Sequence, residues 1–143
     1  MTNARFREIV QTWLDSINSV KNEKFAIDET GRCKFFFNDM EFILEVPDGS
    51  DRFFIYAPLF EVPIHSDGLL YYALSLNLFQ VETVGTTLAI DRSANFFVLS
   101  YHALISTIDS AKFQKLLGAF IYTTQTITEK LLKEHRRRSA RSA

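Results

Sequence analysis

Between positions 67 and 80 the chain gives up its polar positions almost entirely. Leu69, Leu70, Tyr71, Tyr72, Ala73, Leu74, Leu76, Leu78 and Phe79 are apolar or aromatic, and only Ser75 and Asn77 interrupt them. Successive helical residues are roughly 100° apart, so these side chains point in every direction around the axis. One stripe is able to meet a sheet, while the other needs a second cover, which in so short a chain another copy would supply. The rest of the pattern is more regular. Phe6, Ile9, Val10, Trp13, Leu14 and Ile17 recur at helical spacing opposite Arg7, Glu8, Gln11, Asp15 and Asn18, which predicts an amphipathic first helix. A polar loop over 18–31 carries the isolated apolar pair Phe25 and Ile27, able to pin it to the body.

Strands come next. Residues 33–37 are aromatic-rich, Asn38-Asp39 suits a turn, and Met40, Phe42, Leu44 and Val46 alternate with Glu41, Ile43 and Glu45 at the period of a half-buried strand. Pro47-Asp48-Gly49-Ser50 makes a second turn before a third strand over 52–57, so the three form an antiparallel meander. A loop over 59–66, accompanied by Pro58 and Pro63, leads to the apolar helix, with Ser66 or Asp67 as its N-cap. Val84-Gly85 breaks that helix, and 86–91 and 96–101 read as a hairpin turning at 91–95. A last helix begins at the cap Asp109 and puts Phe113, Leu116, Leu117, Phe120, Ile121, Thr124, Ile127 and Leu131 on one side. The predicted order is α-β-β-β-α-β-β-α, an antiparallel sheet packed against helices in the α+β class.

Composition narrows the function. With 143 residues, 47% of them hydrophobic, the chain has material for one well-filled domain. The net charge of −1 hides an asymmetry: Arg136, Arg137, Arg138 and Arg141 crowd the end, leaving 12 of the 16 basic residues against all 17 acidic ones in residues 1–135. The expected division is an acidic domain over 1–135 and a basic, flexible tail over 136–143. That tail has no aromatic interleaving and no folded basic stripe, so nucleic acid is not an expected partner. A single cysteine, Cys33, reads as a small buried strand residue in a reducing compartment. No stretch approaches the roughly 18 apolar residues of a membrane span, and the first residues lack a signal-peptide core, which points to the cytoplasm and to no membrane insertion.

Catalytic patterns are missing. His65, His102 and His135 lie far apart, without the i, i+4 spacing of a helical metal pair. Gly85-Thr86-Thr87 lacks the Gly-x-x-x-x-Gly-Lys spacing of a phosphate loop and follows a helix, and there is no Gly-x-Ser-x-Gly elbow. Glu41 and Glu45 sit on the polar face of their strand. No enzyme, metal or cofactor is expected.

The stretch Ala73-Leu74-Ser75-Leu76-Asn77-Leu78-Phe79, followed by Glu82-Thr83-Val84-Gly85-Thr86-Thr87-Leu88-Ala89-Ile90-Asp91, resembles the second half of the CesT-like class I chaperones of bacterial type III secretion. In that family a Leu-x-Leu-Asn helix leads through a Gly turn to a strand ending near Asp. Phe97 to Tyr101 and the approach from Leu104 to Asp109 resemble its fifth strand and the linker to its last helix. The resemblance implies a homodimer through the second helix in the bacterial cytosol. Such a chaperone holds the N-terminal chaperone-binding segment of one or a few secreted effectors extended and export-competent, and contact with the secretion ATPase is a further possible partnership.

Residue assignments follow from the pattern. Leu70, Tyr71, Leu74 and Leu78 are expected at the dimer interface, because Leu69, Ala73 and Leu76 form the stripe better suited to the sheet. Adjacent strand aromatics such as Phe36-Phe37 and Phe53-Phe54 point to opposite faces, so some must face outward. Phe36, Ile43 and Phe54 are the expected effector-binding residues, with Trp13 on the first helix as their neighbour. The competing expectation is a small-molecule or lipid carrier of the α+β class, whose aromatics line an internal pocket.

Overall fold

The computed structural model describes residues 3–142. Its elements are α1 (Asn3–Lys21), β1 (Arg32–Phe37), β2 (Met40–Glu45), β3 (Arg52–Glu61), α2 (Asp67–Leu76), β4 (Thr87–Asp91), β5 (Phe96–Leu104) and α3 (Ser110–Ser142). The predicted order holds. The five strands form one antiparallel sheet in the order β1-β2-β3-β5-β4, so β1 and β4 are its edges.

Local chemistry accounts for the connections. Asn38 and Asp39 both have positive φ, 50° and 63°, which makes a two-residue turn of the type whose twist matches the flanking strands. The polar loop after α1 is fastened by side-chain amides. Asn18 both donates to the Phe25 carbonyl and accepts from its N–H, each at 2.8 Å, and Gln11 accepts from the Ile27 N–H at 2.8 Å. Asp109 caps α3 as expected, accepting from the Lys112 N–H at 2.8 Å.

The core lies between the inner face of the sheet and the helices. Alternation puts Phe53, Ile55 and Ala57 of β3 inside, together with Phe42 and Leu44 of β2 and Phe97 and Leu99 of β5. Helices supply Val10, Leu14, Phe113, Phe120, Ile127 and Leu131. The rings pack on one another: Trp13 stacks on Phe113 with centroids 5.0 Å apart and meets Phe53 edge-on at 5.9 Å. Cys33 is buried, and burial pushes its thiol pKa upward.

Three expectations about the elements change. β3 runs past Ala57 and through Pro58 to Glu61, taking up part of the expected loop. Pro58 still pairs with Val98, and the register slips between Pro58 and Glu61, where a missing N–H is tolerated. The apolar helix stops at Leu76 instead of Gln80. A short 3-10 turn over Leu78–Gln80 follows, with Phe79 at φ 56°, because the Asn77 amide turns away from the helix to the sheet. The expected boundary after residue 135 is marked by no break, since α3 continues through Arg136, Arg137 and Arg138 to Ser142. No helix among the described residues is long and apolar enough to cross a membrane.

Candidate partner-binding surfaces

Among the described residues, one exposed apolar surface is built on α2. Its buried stripe is Leu69, Ala73 and Leu76, the stripe expected to meet the sheet. On the other side Tyr71 is 79% exposed, Leu74 71% and Leu78 65%, while Leu70 is half-buried and packs against the core. Phe79, Val81 and Val84 beyond the helix are exposed as well, and Ile90 of β4 lies beside Leu74 in the groove between the two elements. Sequence reasoning had not assigned these last four. The positive φ of Phe79 at the kink, which turns an aromatic side chain outward, is not visible in a hydropathy pattern.

Asn77 makes α2 and β4 one unit. Its amide donates to the Leu88 carbonyl and accepts from the Leu88 N–H, both at 2.8 Å. The side chain thereby occupies the place a neighbouring strand would take at that position of the β4 edge. A groove of about 230 Å3 lies between the two elements, lined by Leu70, Ala73, Leu74, Leu88, Ile90 and Phe97 among others.

The second candidate surface is the outer face of the sheet with the β1 edge. Phe36 is 71% exposed. In a two-residue hairpin the pair next to the turn, Phe37 and Met40, shares hydrogen bonds, so alternation directs the backbone groups of Phe36 and Lys34 away from β2. Arg32, next in that series, is engaged by Asp28, whose backbone N–H donates to the Arg32 carbonyl at 2.9 Å. The Asp28 carboxylate also accepts from the Thr30 hydroxyl and from the N–H groups of Thr30 and Arg32. These bonds, the Thr30 hydroxyl first, lower its pKa.

The four residues expected to bind an effector are not brought together. Phe36 opposes Glu41, whereas Phe54 pairs with Glu45 at the other end of that strand and stacks on His102 with centroids 5.5 Å apart. Ile43 does lie on the outer face but is only 4% exposed, flanked in register by Lys34 and Tyr56, so it is corrected from a contact residue to the floor of that face. Trp13 is corrected too. It is 4% exposed and wedged between Phe53 and Phe113, because an indole at the centre of an amphipathic stripe meets the sheet first.

The outer face also holds a pocket of about 460 Å3 that sequence reasoning missed. Tyr56, Pro58, Phe96 and Ala89 line it, with Glu41 and Asp91 alongside. Tyr56 is held by its hydroxyl, which donates to Glu45 at 3.2 Å, while Glu45 is paired with Arg32 at 2.5 Å. Burial, and then the Glu45 carboxylate, raises the Tyr56 pKa. Among the described residues no group of three or more His, Cys, Asp or Glu side chains is placed to hold a metal ion.

Comparison with known proteins bears on the fold and the family. No curated protein matches closely enough to count as a relative. Among solved structures, the chain is similar to one from the ExsC-ExsE complex at a TM-score of 0.76 and 14% identity, covering 87% of this chain and 95% of that one. It resembles one from the HopA1-SchA chaperone-effector complex at 0.71 and 14%, covering 85% and 94%. A third is from the heterodimeric ExoU-SpcU complex of the type III secretion system of Pseudomonas aeruginosa, at 0.64 and 16%, covering 84% and 95%. At these identities the likeness establishes the fold. The sequence profile of the Tir chaperone protein (CesT) family matches residues 16–127, most of the chain, and the protein belongs to that family.

Proposed function

We propose that the protein is a type III secretion chaperone of the bacterial cytosol, which binds the N-terminal segment of a secreted effector and keeps it extended, soluble and ready for export. The observation that carries this reading is the pair of unpartnered apolar surfaces on a protein of this family: the α2-β4 face and the outer sheet face with its β1 edge. The same fold occurs in the HopA1-SchA chaperone-effector complex and in the ExoU-SpcU complex of a type III secretion system, which supports the same reading. The carrier reading needs an internal cavity. Here Phe42, Phe53, Phe97 and Phe113 fill the interior themselves, which favours the chaperone.

On this reading the two surfaces have different occupants. The α2-β4 face, with Leu70, Tyr71, Leu74 and Leu78, meets a second copy across a two-fold axis, where one flat apolar patch covers itself. Phe36, Phe54 and the open backbone groups of β1 serve the effector, offering pockets for side chains and hydrogen bonds to an extended chain. Residues 1–135 form the chaperone domain, residues 136–143 add basic charge, and the secretion ATPase is a further partner. No step of this function requires catalysis or a cofactor.

Two measurements test it. Light scattering of the native chain is expected to give twice 16.5 kDa, and Leu74→Asp, at an exposed position, is expected to give a folded monomer. A native chain of 16.5 kDa would overturn the dimer. Pull-down from the native cytosol with mass spectrometry is expected to recover a secreted polypeptide whose N-terminal segment is required for capture. Recovery of a single metabolite and no polypeptide would reverse the reading in favour of the carrier.

A further inference from the structure

The pocket on the outer face exists because of where small and rigid residues fall in the last three strands of the sheet. Ala89 on β4 and Ala94 in the β4-β5 turn contribute only methyl groups. Pro58 on β3 ends the regular register, and the pairing with β5 slips between Pro58–Val98 and Glu61–Phe96. Tyr56 and Phe96 then stand as larger, half-buried apolar walls around the gap. The Tyr56 wall is fixed in advance through its hydroxyl and the Glu45-Arg32 pair, so a guest need not order it.

Charge is the second observation. The two ionisable carboxylates beside this apolar gap are Glu41 and Asp91, and no Lys or Arg lines it. The nearest cation to either carboxylate among the ion pairs is Lys34, which reaches Glu41 only at 3.9 Å. Asp91 accepts from the N–H groups of Ser93 and Ala94, which places its carboxylate at the turn, and among the described residues no side chain forms an ion pair with it. An apolar guest with an acidic neighbour would meet two like charges, and one with a basic neighbour two opposite ones.

We propose that this pocket selects, within the extended client segment, an aliphatic side chain flanked by lysine or arginine. The inference rests on the chaperone reading above and specifies its client. The pocket at 460 Å3 has room for one branched aliphatic side chain and the stem of a neighbouring Lys or Arg, whose charged head reaches the carboxylates. Selection of this kind acts through which segment docks and how fast, more than through total affinity.

The test is fluorescence anisotropy of the intact protein with three labelled peptides: Ser-Gly-Lys-Ile-Arg-Gly-Ser, the same peptide with Gln at both charged positions, and the same with Glu. The basic peptide is expected to bind about fivefold more tightly than the neutral one at low salt, the order that two solvent-exposed ion pairs supply, and the acidic peptide most weakly. The double variant Glu41→Gln/Asp91→Asn, which keeps an oxygen acceptor for the turn at Asp91, is expected to bind basic and neutral peptides alike. Ala89→Phe, which fills the gap from an exposed strand position, is expected to lose all three. Light scattering and thermal melts confirm that each variant retains the parent's fold and assembly.

Equal binding of basic and neutral peptides by the native protein would overturn the charge selection, even if Ala89→Phe abolished both, and would leave the chaperone reading standing. Binding of the basic peptide that is undiminished in the double variant, or that survives Ala89→Phe, would place it elsewhere and overturn the site. Absence of any peptide binding, or binding only when Leu74→Asp has opened the dimer, would overturn the proposal as well. In those cases effector capture by pull-down still decides the broader reading separately.

Discussion

Replacing Asn77 by alanine removes the amide that ties α2 to β4, and the structure allows the cost to be worked out. Two hydrogen bonds of 2.8 Å are lost, and both ends belong to Leu88, which is only 4% exposed. A net 0.5–1.5 kcal/mol for each bond gives about 1–3 kcal/mol, with the upper part of that range favoured because water reaches the abandoned groups poorly. Asn77 sits at the C-cap with φ −77° and ψ −12°, a conformation alanine adopts freely, so backbone strain adds nothing. For a domain of this size the melting temperature is expected to fall by about 4–12 °C.

Asn77→Asp sharpens the test. One carboxylate oxygen still accepts from the Leu88 N–H, but the other faces the Leu88 carbonyl, so aspartate is expected to destabilise at least as much as alanine. Circular dichroism melts at several fixed protein concentrations separate this loss from dissociation of an assembly, which makes melting concentration-dependent. Hydrogen exchange supplies a local readout, since the Leu88 amide is expected to exchange faster in both variants. An alanine variant melting within about 1 °C of the parent, or an aspartate variant more stable than the alanine one, would refute the reasoning.

Other outcomes follow from single sites. Gly31 has φ 85°, and a Cβ there would overlap the Val46 carbonyl, so Gly31→Ala is expected to cost upwards of about 1–2 kcal/mol in denaturant unfolding. Phe36→Ser, at a position 71% exposed, is expected to leave the unfolding midpoint within about 0.5 kcal/mol of the parent while weakening effector capture in pull-downs. Asp28 has a lowered pKa in the fold, so its contribution is present above its unfolded pKa and is lost as pH falls through the folded one. The protection of the Thr30 and Arg32 amides, measured against their intrinsic exchange rates at each pH, is therefore expected to fall in acid, and Asp28→Asn to remove that pH dependence. For Tyr56 the sign is opposite: its pKa is raised, so its contribution holds below the unfolded value and fades in alkali. Tyr56→Phe is expected to flatten stability against pH above about 10.

How much of this was legible in the sequence depends on the kind of interaction. Periodicity is enforced by burial, so the stripe Leu69, Ala73 and Leu76 and the alternation of β2 could be read directly. Turn chemistry was also legible, since Asn38-Asp39 tolerates positive φ and Asp109 caps. Ends set by tertiary contacts were not. Asn77 reads as an ordinary interruption of an apolar helix until Leu88, eleven residues later, is known to lie beside it. Ile43 breaks an acidic strand face and looked exposed. Cover from Lys34 and Tyr56 on neighbouring strands depends on register, which no local pattern contains. The outer pocket was hidden for a related reason, because Ala89, Pro58 and Phe96 come from three separate strands.

The stack of Trp13 on Phe113 has a practical consequence for anyone studying the protein in solution. The chain has one tryptophan, and its indole sits where α1, β3 and α3 converge. Its emission is thus a single-site spectroscopic gauge of whether the helical layer rests on the sheet. Screened from solvent by those rings, it should stay blue-shifted and unmoved while guests come and go on the surface. A change in its signal during a titration would report rearrangement inside the protein and not occupancy.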